Sequence, residues 1–319
     1  MLATLRVAIF LERINMNYYI GIDGGGTKTF IRIINEKEET IDTHVTTGSN
    51  ISSISYDKTE EVIKNGINKI LSRNQLSIKN CKGLCMGAAG VDREKEKKEV
   101  ENIFRKIGFK SVQVMNDTWI VLKTVTDQNK GIVVIAGTGS IVLGVKNDKK
   151  VRAGGWGYKL GDEGSAYWIG MQGIKAVINA YDQVSMPTDL TKKILNHFEL
   201  ENAEDFIELF YKKSINKNRI AEVSKIVDAV ALMGDVVAIR ILETSSQALG
   251  KQVIAIYRRL FDSENAKIPV ILNGSVALNS NIFFKSFVNY LENEAMNLAI
   301  QPINRDPSFG ACKFAKEIE

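Results

Sequence analysis

Three consecutive glycines, Gly24–Gly26, follow an apolar run that ends in Asp23, a pattern typical of a turn that holds phosphate. Residues without a Cβ let backbone N–H groups close around an anion. The segment is not a Walker motif, because Thr27 stands where that motif requires lysine. It is not a dinucleotide fingerprint either, because the strand-like run 30–34 follows where a helix should begin. We therefore predict a strand, a glycine turn and a second strand, with Asp23 at the mouth of the hairpin.

The same pattern returns in the middle of the chain. The segment GIVVIAGTGSIVLGV (131–145) again has an apolar strand on each side of a glycine turn, GTGS (137–140). A late apolar segment, IPVILNGS (268–275), also ends in a glycine turn. Each turn offers backbone N–H groups and a hydroxyl group to an anion. The two similar hairpins predict a duplicated pair of domains that hold a polyphosphate.

The segments between the turns alternate between helix and strand. Apolar residues recur at helical spacing from Val62 to Leu71, and the charged segment 93–108 is typical of an exposed amphipathic helix. The short apolar segments 83–91 and 111–117 are predicted strands. From Glu163 the chain is predicted to be largely helical to about Phe261. One more helix is predicted at 283–291, after the late apolar segment. This alternation favours an α/β sheet.

Length and composition indicate a protein of two domains. The chain has 319 residues, of which 45% are hydrophobic and 25% charged, enough for sizeable cores. No apolar stretch reaches the roughly 20 residues of a membrane-spanning helix, and the lysines behind the net charge of +5 are scattered. Membrane and nucleic-acid partners are therefore not expected. Residues 1–16 lack the apolar core and cleavage site of a signal peptide, so we interpret them as a non-functional extension before a start at Met16.

The few cysteines and histidines offer little material for a metal site. The three cysteines, Cys81, Cys85 and Cys312, suit a reducing cytoplasm. Cys81 and Cys85 fall in one predicted strand, where residues four apart are separated by about 13 Å, too far to share one ion. His44 and His197 are the only histidines, so neither a zinc site nor an iron–sulfur cluster is expected.

One further segment, GGWGYKLGDEGSAYWIG (154–170), makes the pattern specific. Together with IDGGGTKT, MGAAGVD, NDT, AGTGS and LNGSVALN, it resembles the family that holds N-acetylglucosamine kinase and the benzoyl-CoA reductase-type ATPases, from about Asn17 to the end of the chain. Actin, sugar kinases and heat-shock ATPases form the wider superfamily. The resemblance implies an α/β fold of duplicated actin-like ATPase (ribonuclease H-like) domains with a cleft between them. The implied domains are 17–128 with a C-terminal helix 305–319, and 129–304.

The resemblance implies that the glycine turns hold ATP through N–H and hydroxyl groups. The implied ATP and phosphate residues are Gly24, Gly25, Gly26, Thr27, Lys28, Gly137, Thr138, Gly139, Ser140, Gly274 and Ser275, the last two at the adenosine. Asp23 is expected to hold Mg²⁺ through water, because Mg²⁺ dehydrates reluctantly and takes few direct carboxylates. Taken singly, each turn could equally be an ordinary tight turn.

Asp117 ends the predicted strand 111–117 and is the residue at which the family places its catalytic base. A carboxylate in hydrogen-bond reach can orient a sugar hydroxyl and accept its proton as the phosphoryl group transfers. Asp117 could also cap the helix that follows, and the two roles are compatible.

The GGWG and GDEG segments are expected to form the sugar site. Trp156 offers an apolar plate to a pyranose, or packs in the core; Asp162 can accept hydrogen bonds from adjacent hydroxyls. The other residues implied at the sugar are Asn50, Asp117, Thr138, Gly139 and Gly155. Glu163 is predicted to begin a helix, and Lys159 either pairs with a lactyl carboxylate or is solvated.

The resemblance thus implies a cytoplasmic ATP-dependent kinase for the 6-hydroxyl of N-acetylglucosamine, N-acetylmuramic acid or both. Glucosamine kinase, a dehydratase-activating ATPase and a non-catalytic nucleotide-binding module are the alternatives. An activating ATPase needs cysteines from two subunits around an iron–sulfur cluster, which this sequence does not offer by spacing. The preferred amino sugar stays open, and family analogy suggests a homodimer through the long helices.

Overall fold

The computed structural model describes residues 16–51, 54–88, 91, 93–147, 149–212, 215–294 and 296–318. The predicted N-terminal extension lies outside these ranges except for Met16, as do three residues of the MGAAGVD motif. The chain divides into two compact units, of which the second is Asn129–Ile303. The first unit runs to Gln128 and takes up the chain again from Asn304.

The first unit is built on a five-stranded sheet. Its strands are β1 (Tyr18–Gly24), β2 (Lys28–Asn35), β3 (Thr40–Thr47), β4 (Cys81–Ala88) and β5 (Val112–Asn116). They lie in the order β3-β2-β1-β4-β5, with β1, β2 and β3 antiparallel and with β4 and β5 parallel to β1. Its helices are α1 (Tyr56–Asn74), α2 (Glu94–Ile107), α3 (Asp117–Val125) and, from the end of the chain, α11 (Ser308–Glu317).

The second unit repeats this arrangement. Its strands are β6 (Lys130–Ala136), β7 (Ser140–Lys146), β8 (Lys149–Gly154), β9 (Ile268–Asn273) and β10 (Leu298–Pro302). They lie in the order β10-β9-β6-β7-β8, which is the first sheet read from its other edge. An antiparallel meander is followed by two parallel strands in both sheets. The predicted duplication is therefore confirmed in the sheet topology.

The second unit carries most of the helices. They are α4 (Ala166–Tyr181), α5 (Leu190–Phe198), α6 (Asp205–Tyr211), α7 (Lys217–Leu232), α8 (Val236–Leu260), α9 (Ser275–Asn279) and α10 (Asn281–Glu292). Among the residues that the structure describes, no helix is both long enough and apolar enough to cross a membrane.

Periodicity explains why these segments form the elements that they do. Ile63, Ile67 and Ile70 recur at helical spacing on α1 and are fully buried, as expected for the apolar face of an amphipathic helix. Strand β1 is buried along nearly its whole length, which suits a central strand with neighbours on both sides. Gly21 on β1 lets α11 approach closely, because a Cβ there would overlap the backbone of Ser308.

One predicted boundary is wrong. Glu163 was expected to begin a helix, but α4 begins at Ala166. Ser165 is the N-cap, and its hydroxyl oxygen accepts a hydrogen bond from the N–H of Trp168 at 3.1 Å. Glu163 lies in the preceding turn, which closes with a hydrogen bond from the N–H of Ser165 to the carbonyl of Asp162 at 3.1 Å. Serine is a strong N-cap, and this cap decides where the helix starts.

Candidate active site

The first glycine turn joins β1 to β2 and is braced from outside. Within the turn, the N–H of Gly25 donates to the carbonyl of Lys28 at 3.0 Å. The N–H of Ser49 donates to the carbonyl of Gly25 at 3.1 Å, and this contact holds the loop after β3 against the turn. Asn50 follows directly, with its Nδ2 4.0 Å from the position that a Cβ would take on Gly26. Asn50 therefore lies beside the predicted phosphate turn.

Asp23 is the penultimate residue of β1 and lies in an environment that is electrostatically unfavourable for a carboxylate. Burial, followed by the negative charges of Asp117 and Asp306, raises the pKa of the Asp23 carboxyl to about 7, while Lys28 lowers it. The position of Asp23 in the sheet explains why Asp117 is near it, because β1, β4 and β5 are parallel and their carboxyl ends share one edge. Asp117 follows β5 at that edge. The structure thus brings together two aspartates that the sequence separates by about 90 residues.

Asp117 does not cap its helix. The N-cap of α3 is Asn116, whose side-chain oxygen accepts a hydrogen bond from the N–H of Thr118 at 3.1 Å. The predicted capping role of Asp117 is therefore wrong by one residue, because β5 extends through Asn116 and leaves that residue in extended conformation. Asp117 is instead the first helical residue, where a carboxylate interacts favourably with the helix dipole.

Asp306 and Arg32 belong to this region and were not identified from the sequence. Arg32 on β2 forms an ion pair with Asp306, and its Nε donates to the Ser308 hydroxyl at 3.1 Å. The pair ties the start of α11 to the central hairpin across more than 270 residues of sequence. Neither spacing nor periodicity signals such a contact, because only the return of the chain end to the first sheet creates it.

Oxygen donors make this edge of the sheet compatible with Mg²⁺. The carboxylates of Asp23 and Asp117 are hard ligands of the kind that Mg²⁺ prefers. They repel each other, and this repulsion contributes to the raised pKa of Asp23. A cation bound between them would relieve the repulsion. In the described part of the chain, no group of three or more acidic, histidine or cysteine side chains is placed to hold a metal ion. The residues fit an ion that is held largely by water and phosphate, as Mg²⁺ commonly is, and not a cage built by the protein.

The second glycine turn joins β6 to β7 and is anchored to α4. The N–H of Gly137 donates to the carbonyl of Gly139 at 3.0 Å and closes the turn. The N–H groups of Ala166 and Tyr167, in the first turn of α4, donate to the carbonyls of Gly137 and Thr138 at 2.8 and 3.3 Å. Because its carbonyls are occupied in this way, the turn is held in a fixed orientation.

Asp162 packs against the same turn. It is buried in a left-handed conformation with φ of 61°, and a Cβ on Gly139 would lie 2.8 Å from its Oδ2. Burial raises the pKa of the Asp162 carboxyl, while hydrogen bonds from the backbone N–H groups of Ser140 and Gly157 lower it. Two carboxylate oxygens offer about four acceptor positions, so these amides leave room for further donors. Asp162 thus both shapes the turn and can accept hydrogen bonds from a ligand.

The third glycine turn meets the second. Gly274 has φ of 99°, and a Cβ there would overlap the carbonyl of Ala136, so only glycine fits at this close approach. Ser275 follows and lines a cavity of about 200 Å³ between α4, α7 and α9. The cavity combines apolar and polar walls, and its lining includes Ile169, Ser224, Asp228, Leu232 and Val276. Strands β6 and β9 therefore bring the GTGS turn and the Gly274 turn to one edge.

The GGWG segment follows β8 and exposes Trp156. Gly154, Gly155 and Gly157 have φ of 70°, 69° and 83°, a conformation that explains why this segment needs glycine. Trp156 is 63% exposed and is not a core residue. The guanidinium of Arg152 lies 4.2 Å from the centroid of its ring and donates to the carbonyls of Gly154 and Gly155. The indole is therefore held in place at the surface rather than buried.

The cysteines are structural. Cys85 and Cys312 are fully buried, and burial raises the pKa of both thiols. Burial also raises the pKa of the Cys81 thiol to about 12. Cys81 and Cys85 lie on β4, as the strand argument requires. Because Cys85 and Cys312 are fully buried, their thiols do not lie at a surface that another subunit could reach.

Known proteins with similar sequences show which family this chain belongs to. The chain matches the model of the BadF/BadG/BcrA/BcrD ATPase family over residues 20–315 and belongs to that family. It is 33% identical to the N-acetylmuramic acid/N-acetylglucosamine kinase of Clostridium acetobutylicum over 94% of this chain and 99% of that protein. It is 31% identical to the N-acetyl-D-glucosamine kinase of Dictyostelium discoideum over 93% of this chain and 97% of that protein.

A solved structure supports the fold. A crystal structure from Chromobacterium violaceum, provisionally named an N-acetylglucosamine kinase, superimposes with a TM-score of 0.71 at 23% identity. The match covers 94% of this chain and 99% of that one. The predicted family and the predicted two-domain α/β fold of sugar kinases are thus confirmed.

Proposed function

We propose that this protein is an ATP-dependent amino-sugar kinase that phosphorylates the 6-hydroxyl of N-acetylglucosamine, N-acetylmuramic acid or both. One observation carries the proposal: each duplicated sheet presents a glycine turn after its central strand, with carboxylates beside it. Asp23 and Asp117 accompany the first turn, and Asp162 the second. The kinship with amino-sugar kinases supports the choice of substrate class.

The glycine turns are proposed to hold the nucleotide. Gly24–Lys28 and Gly137–Ser140 would bind the phosphates of ATP through N–H and hydroxyl groups. Gly274 and Ser275 would contact the adenosine, and the cavity beside Ser275 supports this assignment. Its apolar wall suits a base, and Asp228 and Ser224 can meet ribose hydroxyls.

Asp23 is proposed to hold Mg²⁺ through water. When bound, the ion would neutralise the phosphate oxygens and the charge that develops on them. Asp23 would then be ionised, because a nearby cation favours the carboxylate over the acid.

Asp117 is proposed as the general base. Its carboxylate would orient the 6-hydroxyl and accept the hydroxyl proton, while the oxygen bonds to the γ-phosphorus and ADP leaves. Its place at the first turn of α3 supports this role, since a helix begins rigidly at the Asn116 cap. The remaining proposed sugar contacts are Asn50, Thr138, Gly139, Gly155, Trp156 and Asp162.

The decisive experiment measures ADP release with and without each amino sugar. We expect release to depend on N-acetylglucosamine or N-acetylmuramic acid, and ³¹P–¹H correlation to locate the product phosphate on O6. Glucosamine in the same panel tests the glucosamine-kinase alternative. Strong sugar-independent ATP hydrolysis would contradict the proposal and favour an activating ATPase, and binding without turnover would favour a nucleotide-binding module. A cytoplasmic location and a homodimer also stay predictions.

A further inference from the structure

A second cavity of the second unit lies beside Trp156 and is not explained by the proposed contacts of the reacting hydroxyl. Its volume is about 490 Å³. Trp156, Glu163 and Gly154 form one wall, and one face of α8 forms the other. The residues of that face are Thr244, Gln247, Ala248, Lys251 and Gln252. We call this space the Trp156 cavity.

The lining of the Trp156 cavity is chemically suited to a carbohydrate. The α8 residues recur at helical spacing, so a polar stripe faces the indole along about two turns. An aromatic plate opposite amides and a hydroxyl is the combination that recognises a ring with one apolar face and many hydroxyls. The cavity adjoins the sugar segment, because the Cβ of Trp156 lies 3.4 Å from the position of a Cβ on Gly161, the residue before Asp162.

Lys251 is the cation of this cavity. Its side chain is exposed, and within the described residues it forms no ion pair with Glu163 or with any other carboxylate. Arg152, also near Trp156, is committed to two backbone carbonyls and to the indole face. Lys159 does not line the cavity and lies 6.0 Å from the ring centroid of Tyr158. A ligand anion in the cavity would therefore meet Lys251.

Gln252 supplies an unused acceptor at the same place. Its Oε1 is buried and accepts no hydrogen bond within the described part of the chain. The amide lies against Gly154, where a Cβ would overlap Oε1. A buried acceptor without a donor costs free energy. A ligand N–H would therefore bind favourably once the amide turns this oxygen from Gly154 into the cavity. An acetamido group carries such an N–H.

We propose that the Trp156 cavity receives the substituents on C2 and C3 of the amino sugar, and that Lys251 determines whether a 3-O-lactyl sugar is accepted. The acetamido N–H at C2 donates to Gln252, and the lactyl carboxylate at C3 pairs with Lys251. These two carbons are neighbours on the pyranose, and Lys251 and Gln252 both line the Trp156 cavity. The inference rests on the proposed kinase function and extends it to substrate choice.

The test compares kcat/KM for N-acetylmuramic acid with kcat/KM for N-acetylglucosamine. Lys251→Gln is expected to lower the ratio of the two values by roughly 2- to 5-fold, the range for losing an ion pair at an exposed lysine. Lys251→Arg should retain most of the ratio, because it keeps the charge. High salt should lower the ratio in the wild type and much less in Lys251→Gln, because salt screens the ion pair.

Lys159→Gln is the matched control, since it removes a neighbouring lysine outside the cavity. Its ratio should equal that of the wild type. Equal losses on both sugars in Lys251→Gln, or a loss confined to Lys159→Gln, would overturn the inference. A wild type that phosphorylates N-acetylglucosamine and rejects N-acetylmuramic acid would overturn it while leaving the kinase proposal intact. A wild type that phosphorylates neither sugar would overturn both.

Discussion

Asp117 lies one residue inside α3, and Asn116 caps the helix in its place. A substitution at Asp117 therefore separates chemistry from folding. Asp117→Asn should lower kcat by roughly 10²- to 10⁴-fold, because asparagine can orient a hydroxyl but cannot accept its proton. The free energy of unfolding should change by about 1 kcal/mol or less, since the loss is mainly one charge near the helix dipole. Steady-state kinetics and urea unfolding measure the two quantities.

Asp162→Asn is the companion variant. Asparagine tolerates the left-handed conformation of position 162, so the fold should be retained. KM for the sugar should rise more than kcat falls if Asp162 binds ground and transition states equally. A folded Asp117→Asn protein with near-wild-type kcat would refute the assignment of the base.

The raised pKa of Asp23 predicts a pH-dependent stability. A carboxyl with pKa about 7 in the folded state and 3.8 when unfolded stabilises the fold fully below pH 3.8, and this contribution is lost as pH rises to 7. Asp23→Asn removes the charge that is costly to bury. The variant should therefore gain roughly 1 to 3 kcal/mol of unfolding free energy relative to the wild type at pH 8, and little at pH 4.

Urea unfolding of both proteins at the two pH values, without nucleotide or metal, tests this prediction. Asp262→Asn, which removes an aspartate at an exposed position, is the matched control. A gain for Asp23→Asn that is independent of pH would show that the carboxyl of Asp23 is not destabilised by its surroundings.

At the scale of the element, the close approach of two turns in the second unit depends on Gly274. Gly274→Ala places a Cβ against the carbonyl of Ala136 and also strains a positive φ. Gly234 has a similar φ of 94° but no atom within 4 Å of a Cβ, so Gly234→Ala isolates the strain. Both variants should lose roughly 1 to 3 kcal/mol of unfolding free energy from φ alone, and Gly274→Ala should lose more.

Gly274→Ala should also raise KM for ATP, because the clash displaces the turn proposed to contact the adenosine. Gly234→Ala should leave this KM at the wild-type value, since no atom lies within 4 Å of a Cβ at Gly234 and the substitution therefore displaces no neighbour. Equal destabilisation of the two variants with equal KM values would argue against a nucleotide role for the Gly274 turn.

At the scale of the whole molecule, each unit has its own apolar core. Residues such as Ile63 and Ile67 form the core of the first unit, and Val223 and Val227 belong to that of the second. Units with separate cores can unfold separately. We expect two calorimetric transitions, with Ile63→Ala lowering one and Val227→Ala lowering the other. A single transition that both variants shift equally would contradict this expectation.

Much of the site could be predicted because its turns depend on short-range features of the sequence. The glycine turns, the hairpins around them and the duplicated pattern follow from residues that are adjacent in sequence, where a missing Cβ and an apolar run act directly on φ and ψ. The predicted start of α4 at Glu163 is wrong by three residues, because Ser165 caps the helix and Glu163 lies in the turn before it.

By itself, the sequence determined where phosphate-type turns occur, which acidic side chains follow strands, and which family they indicate. Only the tertiary structure decided that the charge of Asp306 acts on Asp23, that Arg32 pairs with Asp306 near the chain end, and that Lys251 and Gln252 line one cavity with Trp156. The physical reason is distance: Coulomb interactions and desolvation depend on separation in space. These groups are separated by about 90 to 280 residues along the chain and become neighbours only when the sheets and helices pack.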